Sequence, residues 1–277
     1  MKPHPLLTSL VLTLAGASPA AYACSFFMCA REGVVLVGNN EDYVDPHALM
    51  WFIPADEGSP YGRVLFGYRN HFPQGGMNDQ GLFFDGASAP RQVIEPRRGL
   101  EPYVGNLIHK AMAECATVEE VIALFERFDV PDFFKVAQLM FTDKSGDSAI
   151  LEGDHVLRKQ GDYQITTNFY QSERRAKPYP WRYATIDGML SAGTVPTVDD
   201  FRGILAASHQ EGRISTIYSN IYDLKAGLVH LYHFHNFEEV VTIDLAAELA
   251  KGRHEVEIAS LFPESFAFAT FKARHGD

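Results

Sequence analysis

The chain contains no run of basic residues. Its 24 lysines and arginines are outnumbered by 35 aspartates and glutamates, for a formal net charge of −11. A balance of that sign repels phosphates, which argues against nucleic acid or an anionic membrane as partner. Beyond the N-terminal segment, no apolar stretch approaches the ~20 residues that a helical membrane span needs. Internal repeats, blocks of like charge and low-complexity segments are also missing, so neither a repeat array nor a disordered tail is expected. Cysteine is scarce, three in 277 residues, which is too few for a disulfide scaffold. What remains is 46% hydrophobic and 21% charged, ordinary for a globular protein and long enough to bury a sizeable core.

The first 23 residues read as a secretory signal peptide. Lys2 supplies the positive start, residues 6–17 form an apolar segment too short to span, and Ser18 and Pro19 break it. Ala21-Tyr22-Ala23 then places small residues at the two positions a signal peptidase reads, so cleavage after Ala23 is expected, with export to the periplasm or beyond and residues 24–277 as one catalytic domain. The same spot has a competing reading, a lipoprotein signal in which Cys24 is lipidated. Such signals place an aliphatic residue three before the cysteine and a small one two before it. Ala21 and the bulky Tyr22 fit that pattern poorly. In an oxidising compartment an odd cysteine count points to a thiol kept free for chemistry. Cys29 and Cys115 are able to pair and leave Cys24 free, or all three stay reduced.

Strands are expected at residues 25–30 and 34–37, joined by a turn at Arg31-Glu32-Gly33, with the second strand ending at the polar cluster Gly38-Asn39-Asn40-Glu41-Asp42. That hairpin brings Cys24 close to Asn39 and Asp42. Further strands fit residues 49–53, 64–68 and 82–86, the last following a turn over 75–81. Helices fit 103–115 and the segment opened by the capping box Thr117-Val118-Glu119-Glu120. Strands return at 138–142, 148–152 and 163–167, helices at 181–190 and 197–208, and strands at 215–222, 228–235 and 240–243, before a short helix at 245–250. This order is not the alternation of a doubly wound sheet. It predicts an α+β fold of antiparallel sheets covered by helices.

Cys24, once liberated, unites two groups in one residue. Its thiol is a strong nucleophile when ionised, and its α-amine, with an ordinary pKa of about 7.7–8.0, accepts the thiol proton near neutral pH. Acyl transfer then needs only a group to orient them and donors for the oxyanion. Cys24, Gly38-Asn39-Asn40-Glu41-Asp42-Tyr43, Gly76-Met77-Asn78-Asp79-Gln80-Gly81-Leu82 and Ile165-Thr166-Thr167-Asn168 follow one another in that order. Together they resemble the N-terminal-nucleophile (Ntn) hydrolases of the choloylglycine hydrolase class, which includes bile salt hydrolases and penicillin V acylases. Acid ceramidase and isopenicillin N acyltransferase are relatives. Members begin with cysteine and carry a G-R-N-x-D stretch, a G-M-N-x-x-G-L turn and a later T-N. The resemblance implies a four-layer αββα sandwich. It implies Cys24 as nucleophile, Asp42 as the residue that holds the cysteine's amine and thiol, Asn168 as an oxyanion donor, and Arg182 as a late arginine beside the centre. Two departures fall at expected substrate-binding positions: Asn39 stands where the family has arginine, and Ser88 where many members have Asn or Tyr. They bear on specificity more than on catalysis.

Plainer roles compete. Asp and Asn favour turns for their own reasons, Arg182 fits a surface arginine at a helix start, and Ser88 fits a structural hydroxyl. Cys29 reads as a packed strand residue. His230, His233 and His235 suggest a metal cluster, but alternation splits them between two faces and no further ligand completes a set. Tyr218, Tyr222, Tyr232, Phe234 and Phe237 read as sheet packing. The expectation is an exported amidase for a small N-acyl amide, needing no cofactor, with a homo-oligomer left open; the alternatives are a lipid-anchored binding protein and an acyltransferase. Acylation at Cys24 would remove both nucleophile and base, so intact mass of the exported protein separates these readings. A chain starting at unmodified Cys24 is expected, and a diacylglycerol adduct would sink the amidase.

Overall fold

The turn between the first two strands sets the register of everything near Cys24. In a computed structural model that describes residues 24–173 and 179–275, Arg31 pairs with Val34 across Glu32 and Gly33, whose φ angles are +46° and +84°. A two-residue turn with both φ values positive matches the twist of the flanking strands, and glycine takes that conformation without strain. The elements run in chain order as β1 (Ser25–Arg31), β2 (Val34–Tyr43), β3 (Leu49–Ile53), β4 (Arg63–Gly67), β5 (Pro73–Asn78), β6 (Phe83–Ser88), α1 (Leu107–Glu114), α2 (Val118–Phe125), β7 (Ala137–Thr142), β8 (Ser148–Glu152), β9 (His155–Arg158) and β10 (Tyr163–Thr166). They continue as α3 (Trp181–Leu190), α4 (Val198–Ser208), β11 (Ser215–Asp223), β12 (Leu228–His233), β13 (Asn236–Asp244), α5 (Leu245–Leu249), β14 (His254–Glu257) and α6 (Phe266–His275). The signal-peptide reading falls on residues 1–23, outside the described residues.

The strands form two antiparallel sheets, ordered β10-β1-β2-β11-β12-β13 and β14-β3-β4-β5-β6-β7-β8-β9. Both faces of the central strands are apolar, so each sheet is covered twice. Phe26, Met28, Val35 and Val37 point between the sheets and meet Met50, Phe52, Val64 and Phe66 of the other sheet. The alternate residues Phe27, Leu36 and Ile221 pack against Ile186, Phe201 and Leu205 of α3 and α4. On the far side Trp51, Leu65 and Phe84 pack against Leu107, Met112 and Val121 of α1 and α2. The layers therefore run helix, sheet, sheet, helix, which is the expected αββα sandwich. Phe268 and Phe271 of α6 enter the inter-sheet layer beside Phe234. The aromatics of the last strands pack as expected, Tyr218, Tyr222 and Phe234 between the sheets and Tyr232 and Phe237 toward the helices.

Several expected boundaries move. The polar cluster at 38–42 does not end β2, which continues to Tyr43. It sits between β1 and β11, so its backbone groups are satisfied on both edges and its side chains find partners. Asn40 donates to the Leu205 carbonyl at 3.0 Å and accepts from Ser219 at 2.6 Å. The 75–81 turn shrinks to residues 78–81, because Gly75-Gly76-Met77-Asn78 extends β5. The Asn78 side chain closes that turn by accepting from the amides of Gln80 and Leu82. The first helix starts at Leu107 rather than residue 103, where the Asn106 side chain accepts from the Ile108 and His109 amides. The strand expected to reach residue 235 ends at His233, and Phe234 and His235 form a turn at positive φ.

Gly76 shows why its strand is glycine-rich. A Cβ there would overlap the Val64 carbonyl oxygen of the neighbouring strand, backbone that cannot swing aside. Gly76→Ala is expected to lower unfolding free energy by about 1–3 kcal/mol in chemical denaturation. Unchanged stability would refute that close approach.

Candidate active site

Cys24 immediately precedes β1, and β1 pairs with β2 so that Ser25 faces Asn40. Its side chain shares the inter-sheet face with Phe26 and Met28, and the residue is 3% exposed. Its thiol donates to Glu41 Oε2 at 3.3 Å and accepts from the backbone N–H of Asp42. Burial, reinforced by the negative charges of Glu41, Asp42 and Asp85, pushes the thiol pKa well up. A bare thiolate is therefore unfavourable here without a cation beside it.

On the helix-facing side of β2 the other sequence candidates form one hydrogen-bonded chain. Arg182 donates to Asp42 Oδ2 at 2.7 Å and to Asn168 Oδ1 at 2.6 Å. Asn168 Nδ2 donates to the Ser88 carbonyl at 2.8 Å, with the Ser88 hydroxyl 3.5 Å away. Thr216 Oγ1 donates to the second oxygen of Asp42. Arg182 donates only, so its contact fixes which end of the Asn168 amide is oxygen. Arg182 sits in the first turn of α3, where a positive charge opposes the helix dipole; Asp42 supplies the compensation. Burial raises Asp42 to about 7 against the opposing pull of Arg182 and Thr216. Buried Gln138 of β7 donates to the carbonyls of Thr167 and Phe169 and so ties the Asn168 loop to the other sheet. Elements far apart in sequence thus bring Asp42, Asn168, Arg182 and Ser88 together.

Asn39 points between the sheets, on the same face as Cys24 and Glu41. Its Oδ1 is buried without a partner, as is that of Asn220 opposite it on β11. The same layer holds an acid pair that the motif comparison passed over. Glu41 is the unspecified residue of the G-R-N-x-D stretch; Asp85 lies on the inward face of β6 with Phe83 and Ala87. Burial raises Glu41 to about 8 and, with the charge of Glu41 next to it, Asp85 well above the usual range. Two carboxylates in one dry layer do not ionise together, so a proton is retained there at neutral pH. Tyr68, Tyr218 and Tyr222 surround the pair, and burial raises all three hydroxyls. The signal for Glu41 and Asp85 was parity: each is a charge at an inward position of a two-residue alternation.

The remaining candidates separate. Cys29 lies in the α3–α4 layer and Cys115 in the α1–α2 layer, on opposite sides of the sandwich, and all three cysteines are free thiols. The three late histidines diverge. His230 meets Thr242 at the surface, His233 packs on Phe262 and Phe268, and His235 turns toward His209 and Glu211.

The raised Glu41 pKa fixes a sign for stability. Between about 4.5 and about 8 the folded chain keeps a proton that the unfolded chain releases, so raising the pH through this window removes stability. Glu41→Gln carries no such proton. Its unfolding free energy is expected to fall less than that of the parent between about pH 5 and pH 8, read by urea denaturation. Parallel profiles would show that Glu41 does not titrate in this buried state.

No protein-family model and no curated protein matches the chain. Solved structures do. A variant of the conjugated bile acid hydrolase from Clostridium perfringens superposes with a TM-score of 0.65 at 16% identity, over 88% of this chain and 97% of that one. A second variant of that enzyme gives 0.61 at 16% identity, over 84% and 96%. The penicillin V acylase from Agrobacterium tumefaciens gives 0.50 at 18% identity, over 80% and 86%. At such identities the likeness is one of fold. The chain therefore has the four-layer αββα fold of the Ntn hydrolases, the architecture that its ordered motifs imply.

Proposed function

We propose that this protein is an exported amidase that cleaves linear, non-peptide amide C–N bonds of N-acyl compounds through Cys24. The observation that carries the reading is that the Cys24 thiol meets the backbone N–H of Asp42, whose carboxylate, on the other face of β2, holds Arg182 and through it Asn168. Cleavage after Ala23 would free the Cys24 α-amine. The acidic surroundings that oppose a lone thiolate favour an ammonium, so an ammonium–thiolate pair within one residue suits this site.

In the reaction, the sulfur attacks the amide carbonyl and the α-amine takes the thiol proton. The Asn168 amide, oriented by Arg182 and Ser88, donates to the oxyanion together with a backbone N–H. The C–N bond breaks as the ammonium protonates the leaving amine. Water then attacks the thioester, its proton passing back through the amine, and releases the acid. An acceptor amine in place of water would give acyl transfer. The substrate class follows from the resemblance and the similar folds: N-acyl amino acids, fatty amides, penicillin V or conjugated bile salts, each an apolar acyl arm on a linear amide.

The test is a panel of N-acyl amides with the processed protein. Cys24→Ala is expected to lose at least about three orders of magnitude in kcat/KM, and Cys29→Ala to keep its activity. Asn168→Ala is expected to lose about 10²–10³-fold in kcat. An acyl adduct on Cys24, seen by intact mass during turnover, would support the thioester. Full activity in Cys24→Ala would refute the nucleophile. An inert protein that holds the same amides unhydrolysed would favour a binding role.

A further inference from the structure

His209, Glu211 and His235 place one ligand atom each within 4.8 Å of one another. His209 caps the C-terminus of α4, Glu211 follows two residues on, and His235 occupies the β12–β13 turn. His209 Nδ1 lies 2.6 Å from the Ala206 carbonyl, which only accepts, so Nδ1 carries a proton and Nε2 is the nitrogen that a metal would take. That Nε2 lies 3.1 Å from Glu211 Oε1. A lone pair and a carboxylate oxygen at that distance require a cation between them, either a proton or a metal. His235 donates from its ring to the Gln210 carbonyl, while its Nε2 is buried without a hydrogen-bond partner. Both rings therefore have one nitrogen tied to the backbone and the other directed inward, the outer-sphere arrangement of metal-bound histidine.

We propose that His209, Glu211 and His235 form a binding site for a divalent transition metal of the zinc type. Two imidazoles and one carboxylate are a zinc-like donor set with room for a further ligand, whereas calcium and magnesium seek oxygen alone. The site also reaches the catalytic candidates. Gln210, between two of the ligands, donates its N–H to Thr216 Oγ1 at 2.8 Å and accepts from the Thr216 N–H at 2.8 Å. The same Thr216 hydroxyl donates to Asp42. A metal held by His209 and Glu211 fixes the intervening loop, and with it the Thr216 hydroxyl that orients the Asp42 carboxylate. The metal acts as a positioning device and takes no part in bond making. The site does not depend on the amidase reading.

The experiment uses untagged protein, stripped with chelator and titrated with zinc, with bound metal counted by mass spectrometry and unfolding followed by heat. Close to one equivalent and a raised melting temperature are expected. Glu211→Gln, at an exposed position, and His235→Ala are each expected to weaken zinc binding at least about tenfold. His230→Ala, on the outer face of β12, is expected to bind as the parent does. Cobalt in place of zinc should give the intense visible bands of a four- or five-coordinate ion. Binding well below one equivalent, or binding that survives both ligand variants, would overturn the site. Either result leaves the amide-hydrolysis tests untouched.

Discussion

The buried ion pair between Asp42 and Arg182 ties the first turn of α3 to the centre of the smaller sheet and, through Asn168, to the loop after β10. Asp42 is wholly buried and the Arg182 side chain is 9% exposed, so neither charge is hydrated. Removing one partner of such a pair typically costs about 3–5 kcal/mol, because the other is left charged and dry. The guanidinium also donates to Asn168, and the second Asp42 oxygen takes the Thr216 hydroxyl. These three contacts link β2, β11, α3 and the loop after β10. The ion pair also explains an arginine at the wrong end of a helix dipole.

Much of this was legible in the sequence. The turn at Glu32-Gly33 and the capping box at Thr117 are local signals, and both form as read. The layered α+β order was legible because strands buried on both faces show continuous apolar runs. What escaped depends on partners distant in sequence. Residues 38–42 resemble a turn in isolation and are strand only because β1 and β11 flank them. The short strands β9 and β14 pair at the two ends of the larger sheet and carry no periodicity strong enough to announce them. Of the candidate site, Cys24, Asp42, Arg182 and Asn168 were singled out by motif order. Glu41 and Asp85 were not, since the motif leaves the first unspecified and omits the second.

That omission changes the electrostatic character of the site. Where the resembling family has an arginine beside the nucleophile, this chain has neutral Asn39 and, in the same layer, two acids held near neutrality by burial. A cationic environment would favour a ready thiolate. This one suppresses it, and leaves ionisation to whatever positive charge arrives with the cysteine itself or with a substrate.

β2 carries carboxyl groups on consecutive residues, Glu41 toward the space between the sheets and Asp42 toward α3 and α4. A strand turns over with every residue, so one added or lost residue in the Glu32-Gly33 turn would turn each carboxyl to the opposite face of the sheet. Glu41 would then lie on the side of α3 and α4, and Asp42 on the side of the inter-sheet layer. That two-residue loop is thus the selector that decides which acid lies on which side of the sheet, eight residues before Glu41 and nine before Asp42.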